Sequence, residues 1–166
     1  MIKNISLTNL LFIGFLVELM IFGFSYIIGE NWGETFRLSA RYSGRLSLVV
    51  YLVSFYHFTF SFIKKKPEKK LKESIIIFCF LHYIHFIYLT LAVYLNDIPI
   101  IPYRLTGGFI AYLMILIYPL IISKIRKLVY HLIYFYYVGI IMAVTILARV
   151  RGNFKGAEPE FFHYLG

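Results

Sequence analysis

The chain has little of what a water-soluble domain is made from. Charged residues make up 15% of its 166 positions, with only 8 acids among them, while hydrophobic residues reach 60% and the mean hydropathy is +0.76. A soluble fold of this length has no single core able to hide so much apolar surface. Cysteine is nearly absent: Cys79 stands alone, which excludes an internal disulfide and a thiolate metal cluster, and its apolar surroundings read as core space. There is no glycine-rich phosphate loop, no dinucleotide fingerprint, no internal repeat and no low-complexity stretch beyond one lysine-rich loop. The formal charge of +9 does not point to nucleic acid, because the basic residues lie in loops between apolar runs, where they orient helices against a membrane.

What is present is a series of long apolar runs, at 7–28, 42–63, 74–95, 107–123 and 128–148, each bounded by charge, proline or glycine. A spanning helix uses about 20 residues, so five spans consume roughly 100 of the 166 and leave short loops and a tail at 149–166. The expected fold is all-α: an integral membrane bundle of five transmembrane helices forming one domain over residues 1–166. The first run is too long for a signal-peptide core and has no small-residue cleavage site, so it reads as a retained helix. Pro119 predicts a kink near the end of the fourth helix, and Gly107 with Gly108 allows close helix contact at its start.

Loop charge predicts the orientation. With the N-terminus inside, Lys3, the lysines from Lys64 to Lys72, and Lys124, Arg126 and Lys127 share the cytoplasmic face with only Glu68 and Glu73. The opposite face receives Arg37, Arg41, Arg45, Arg104, Arg149, Arg151 and Lys155, balanced by Glu30, Glu34, Asp97, Glu158 and Glu160. The positive excess therefore favours a cytoplasmic N-terminus and an outside C-terminus. A small lysine-rich chain of this form fits a bacterial inner membrane.

Four of the 5 histidines, His57, His82, His85 and His131, fall in predicted spans, a costly placement unless each is hydrogen-bonded, paired or metal-bound. At about 1.5 Å per residue, His57 lies ~10 Å from Lys64, His82 ~15 Å and His85 ~20 Å from Lys72, and His131 ~6 Å from Lys127. Three helices thus bring imidazoles to the same half of the bilayer, whichever way the chain is oriented. His82 and His85 are three apart and share a helix face. A bis-imidazole haem needs just two neutral histidines on facing helices, which makes haem the leading cofactor candidate. His57, between Tyr56 and Phe58, and either member of the 82/85 pair also fit interhelical hydrogen bonds or a contact behind the ligand. His163, in the tail, reads as interfacial.

Other features have readings of both kinds. Zinc fits less well, because Glu18 is the lone acid at membrane depth, ~16 Å above Leu7. Glu18 reads either as an interhelical hydrogen-bonding group or as a proton or substrate site, with Arg45 a distant partner. Arg37, Arg41 and Arg45 recur every four residues and form one stripe if the second helix starts before Tyr42, suiting lipid headgroups beside Trp32 and Phe36. Aromatic residues are 20% of the chain, enough to fill a bundle and face lipid, and rings can also line a flat cofactor.

Four segments, in order, carry a likeness to a known family. They are Tyr42-Ser43-Gly44-Arg45-Leu46-Ser47-Leu48 opening a helix, Leu81-His82-Tyr83-Ile84-His85 in the next, Pro102-Tyr103-Arg104-Leu105-Thr106-Gly107 before the fourth, and Arg126-Lys127-Leu128-Val129-Tyr130-His131 entering the fifth. In these the chain resembles the ferric reductase-like transmembrane proteins, among them the haem-binding membrane subunit of the methionine-sulfoxide reductase system, over roughly residues 39–149. The resemblance implies His82 or His85 opposite His131 as axial ligands of one b-type haem, His82 and His131 foremost. Two-haem members carry a further histidine some thirteen or fourteen residues along each of these helices, where this chain has Leu95 and Asn96, and Val144 and Thr145. The chain has neither length nor motif for the flavin and nicotinamide domain of the larger reductases. It also lacks the tryptophan and leucine-histidine pair that relatives carry near the position of His131.

The expectation is therefore a membrane-embedded b-type haem protein that passes single electrons between a donor and an acceptor, protein or quinone, in contact with membrane lipids. The alternatives are a non-catalytic assembly or helper subunit whose histidines only join helices, and a small transporter using Glu18.

Overall fold

In the computed structural model, which describes residues 6–63 and 69–150, five α-helices are long and apolar enough to cross a membrane, and no strand occurs among the described residues. They are α1 Leu7–Ile28, α2 Trp32–Ile63, α3 Lys69–Leu95, α4 Pro102–Ile121 and α5 Leu128–Val150, with a 3-10 turn at Ile122–Lys124. Large apolar side chains such as Met20, Ile27, Tyr94 and Leu120 stand outward, at 73%, 83%, 77% and 73% exposed. Such faces need lipid rather than water as their solvent. Lys3, Lys64 to Glu68, Arg151, Lys155, Glu158, Glu160 and His163, together with most of the expected tail and the side chains of Arg104 and Arg149, lie outside the described residues.

α1 and α5 start where their apolar runs do, whereas α2, α3 and α4 start earlier, for local reasons. Asn31 Oδ1 accepts the Glu34 N–H at 2.9 Å and its carbonyl accepts the Thr35 N–H at 2.9 Å, capping α2 ten residues ahead of Tyr42. Glu34 then sits in the first turn, where the helix dipole favours an acid, and takes a two-pronged ion pair from Arg37 at 2.7 and 2.8 Å. Arg37, Arg41 and Arg45 consequently all lie on α2, in the single stripe expected of an early start. In α3 the ion pair from Lys69 to Glu73, at 3.5 Å, extends the helix into the lysine loop. Pro102 opens α4, where its missing N–H is no loss. Pro119 is accommodated inside α4, and α-helical geometry gives way to the 3-10 turn at Ile122, three residues on.

The chain divides into two compact units, Met1–Asp97 and Ile98–Gly166. In the first, α2 and α3 run antiparallel in constant register. Gly33 lies against Asn96, Gly44 against His85, Ser47 against His82 and Tyr51 against Phe78, each step down one helix matched by a step up the other. Close approach is paid for by small residues: a side chain Cβ on Gly33 would stand 2.6 Å from Asn96 Oδ1, and one on Gly44 would stand 3.0 Å from the His85 ring. Packing of this kind is what holds helices together in lipid, where the hydrophobic effect between them is lost. The buried face of α2 carries Thr35, Ser39, Ser43, Ser47, Tyr51, Ser54, Phe58 and Ser61, a stripe at three- and four-residue spacing. α1 completes this unit, with Gly14 against Leu81.

In the second unit α4 and α5 form an antiparallel hairpin. Tyr118 and Tyr134 stack at 3.6 Å, Phe135 packs edge-on to both, and Tyr137 donates to the Gly107 carbonyl at 3.2 Å. Gly107 lies under Ile141, so this glycine does mark a close helix approach.

Candidate functional site

The polar groups buried in the first unit are arranged by the α2 stripe. A serine or threonine inside a helix normally returns its hydroxyl to the carbonyl four residues back. Thr35, Ser39 and Ser54 do so, donating to Asn31, Thr35 and Val50 at 3.0, 2.8 and 2.9 Å. Ser43 and Ser47, one turn apart in the middle of the stripe, instead reach across to other helices. Ser43 Oγ donates to Glu18 Oε1 of α1 at 2.7 Å, and Ser47 Oγ bonds His82 Nδ1 of α3 at 2.6 Å. Both serines are fully buried, Glu18 is 1% exposed and His82 7%. The partner of Glu18 is thus Ser43, two residues before the more distant Arg45 considered from the sequence.

His82 is held on three sides. Its ring lies 5.2 Å from Phe78 and 5.3 Å from the ring of His85, while Ser47 fixes Nδ1. His85 is also buried and rests above Gly44, where any larger residue would crowd it. The two imidazoles share one face of α3, as their spacing predicts, so they cannot take opposite sides of one metal ion. His57 stands apart: ten residues beyond Ser47 on α2, or ~15 Å along the helix, half-buried with its ring beside Tyr56.

In the second unit His131 is half-buried on the first turn of α5. Tyr118 OH, across the hairpin on α4, bonds its Nδ1 at 2.5 Å, and Nε2 lies 3.4 Å from the Ile125 carbonyl. Tyr118 is itself buried and pinned by its stack on Tyr134. Two histidines singled out from the sequence, one in each unit, therefore each meet a buried hydroxyl from the neighbouring helix at Nδ1, and at His131 the Ile125 carbonyl, which can only accept, puts the proton on Nε2.

The hydroxyls behind the histidines were not identified from the sequence. The signal available for Ser47 was its place in the four-residue series Ser39, Ser43, Ser47. For Tyr118 there was none, because one tyrosine among 15 carries no mark of its partner. Among the described residues no three metal-binding side chains gather at one point. An imidazole fixed at Nδ1 by a hydroxyl can ligate through Nε2, an arrangement that Ser47 gives His82, whereas at His131 the Nε2 faces the Ile125 carbonyl.

Searches against protein-family models, curated proteins and solved structures found no match to this chain.

Proposed function

We propose that the chain is a membrane-embedded b-type haem protein that passes single electrons between partners, as its resemblance to ferric reductase-like membrane proteins implies. The observation that carries this reading is the setting of His82, a buried imidazole with Nδ1 on the hydroxyl of Ser47 from another helix. Ligating histidines characteristically spend their second nitrogen on such a partner, which fixes ring orientation and tautomer. With Nδ1–H donating to Ser47, the lone pair of His82 is on Nε2; at His131 the Ile125 carbonyl can only accept, so Nε2 carries the proton and Tyr118 OH donates to Nδ1, and ligation through Nε2 would require that 3.4 Å bond to be given up.

In this reading His82 and His131 are the axial ligands and His85, closely packed on His82, tunes the site. Bound haem would supply reversible one-electron chemistry at iron. The chain's part is to hold neutral imidazoles in place, exclude water and set the polarity around them. Electrons would come from, and go to, a separate protein or a quinone. We further place the N-terminus in the cytoplasm of a bacterial inner membrane, from the lysine excess of the α2–α3 loop; accessibility of single cysteines introduced near residues 30 and 98 tests that orientation.

The same hydroxyl bonds support a second reading, in which the imidazoles only tie helices together within a non-catalytic helper subunit. Purification from haem-replete cells separates the two. Close to one haem per chain, with a Soret band, is the expected result; haem-free protein that is folded and full-length would select the helper reading.

A further inference from the structure

Glu18 takes no part in the proposed haem site, and its setting has a polarity of its own. Its Oε1 accepts from Ser43, but Oε2 has no hydrogen-bond partner, and neither has the hydroxyl of Ser25 two turns along the same face of α1. Both residues are buried, at 1% and 0% exposed. Buried oxygens of this kind are ordinarily met by internal water. A bare carboxylate in an apolar interior costs far more than a hydroxyl, and it binds a proton there unless a cation faces it.

The groups around it are few. From α2, Ser43 donates to the carboxylate, with Arg41 and Arg45 two positions to either side; from α3, Tyr88 OH donates to the Glu18 backbone carbonyl at 3.3 Å, with His85 one turn before it. Above this level, towards the α1–α2 turn, α2 presents Ser39 and then Thr35, 0% and 2% exposed, and α1 presents Ser25. Phe22, stacked on Tyr88 and against Phe36, occupies the α1 side between Ser25 and Glu18, which leaves the small α2 hydroxyls as the polar side of the route. Thr35 also lines a hollow of about 500 Å³ at the turn, together with Tyr26, Glu30, Asn31 and Trp32. A hollow with Glu30, Asn31 and Thr35 in its lining, a file of buried hydroxyls at one-turn intervals and a buried acid thus follow one another in order.

We propose that Glu18 is a proton-binding site, reached from the hollow at the α1–α2 turn through internal waters that bridge Thr35, Ser25, Ser39 and Ser43. A proton would pass from water in the hollow to the carboxylate and return by the same path, with no other reactant. The site stands independently of the haem reading.

Infrared spectroscopy of the full-length protein in lipid vesicles tests it, whether or not haem is bound. The expected result is a protonated carboxylic C=O band that shifts on 13C-glutamate labelling, shifts again in D2O within the time of mixing, and disappears in Glu18→Gln. Ser39→Ala and Ser25→Ala should each keep the band and slow its deuterium shift by about tenfold, the rate equivalent of one lost hydrogen-bonding partner along the path. Absence of the band, its failure to shift on labelling, or its survival in Glu18→Gln overturns the proton site. A band whose exchange is as slow as that of buried amides, or is unchanged by both serine variants, overturns the route. If Glu18→Gln does not accumulate, the labelling and exchange experiments on the unmodified sequence decide alone.

Discussion

Removing one hydroxyl, that of Ser47, should weaken haem binding without touching a ligand. Ser47 Oγ and His82 Nδ1 are 2.6 Å apart and both groups are buried, so Ser47→Ala leaves a polar nitrogen with no replacement from water at that contact. Stranding such a group costs about 1–3 kcal/mol, and loss of a partner behind a ligating histidine typically lowers affinity about 10–100-fold, equivalent to roughly 1.4–2.7 kcal/mol. The two ranges overlap, so the expected loss is of that order. The neighbouring Ser43→Ala is the control, since it breaks the bond to Glu18 one turn away and leaves His82 held. The assay is titration of haem into apoprotein, followed by absorbance, for Ser47→Ala, Ser43→Ala, His82→Ala and the Ser47→Ala/His82→Ala pair. Ser47→Ala should weaken binding, Ser43→Ala should not, and the double variant should be no worse than His82→Ala. Equal losses in the two serine variants, or an added loss in the double variant, would refute the claim that Ser47 acts through His82.

Further outcomes follow from the packing. Tyr118→Phe keeps the stack on Tyr134 and loses only the bond to His131, so haem affinity should fall by about 10–100-fold with little change in thermal stability, whereas Tyr118→Leu should also lose about 0.5–1.5 kcal/mol of ring stacking, readable as a lower Tm in detergent. Gly44→Leu drives a side chain into the ring of His85 and should destabilise by about 1–3 kcal/mol in a detergent melt, while Gly44→Ala, with its Cβ at 3.0 Å and a helix-propensity gain in its favour, should cost much less. Gly33→Val places a branched side chain where Asn96 donates to the Gly33 carbonyl at 3.0 Å, and should lower Tm by a comparable amount; an unchanged melt would contradict the register of α2 and α3.

The five spans were legible because long apolar runs are the strongest signal a membrane chain carries, and each run lies within the helix later seen, apart from two residues past the end of α4 where the turn becomes 3-10. The early starts of α2 and α3 were not. Residues 32–41 and 69–73 interrupt their apolar side chains with charged and hydroxyl groups, and their helicity rests on an Asn31 cap and on ion pairs between neighbouring turns, which hydropathy does not register. His82 and His85 on one face of α3 followed directly from their spacing. The bond between Glu18 and Ser43, or between Tyr118 and His131, depends on which residues of separate helices come level, and one sequence gives no measure of that register. The serine stripe of α2 shows the difference: its periodicity was readable, but which two hydroxyls turn away from their own backbone is decided by what stands opposite.

We propose that one haem is bound by His82 and His131, each through Nε2. The most direct test is the reduced-minus-oxidised absorption spectrum of the detergent-purified chain beside His57→Ala, His82→Ala and His131→Ala, all expressed with ample haem. Axial ligation by these two residues predicts b-type α and Soret bands in the parent and in His57→Ala, and their loss or displacement in His82→Ala and in His131→Ala. A parent without those bands, or bands that survive unchanged in both of the latter variants, would contradict it.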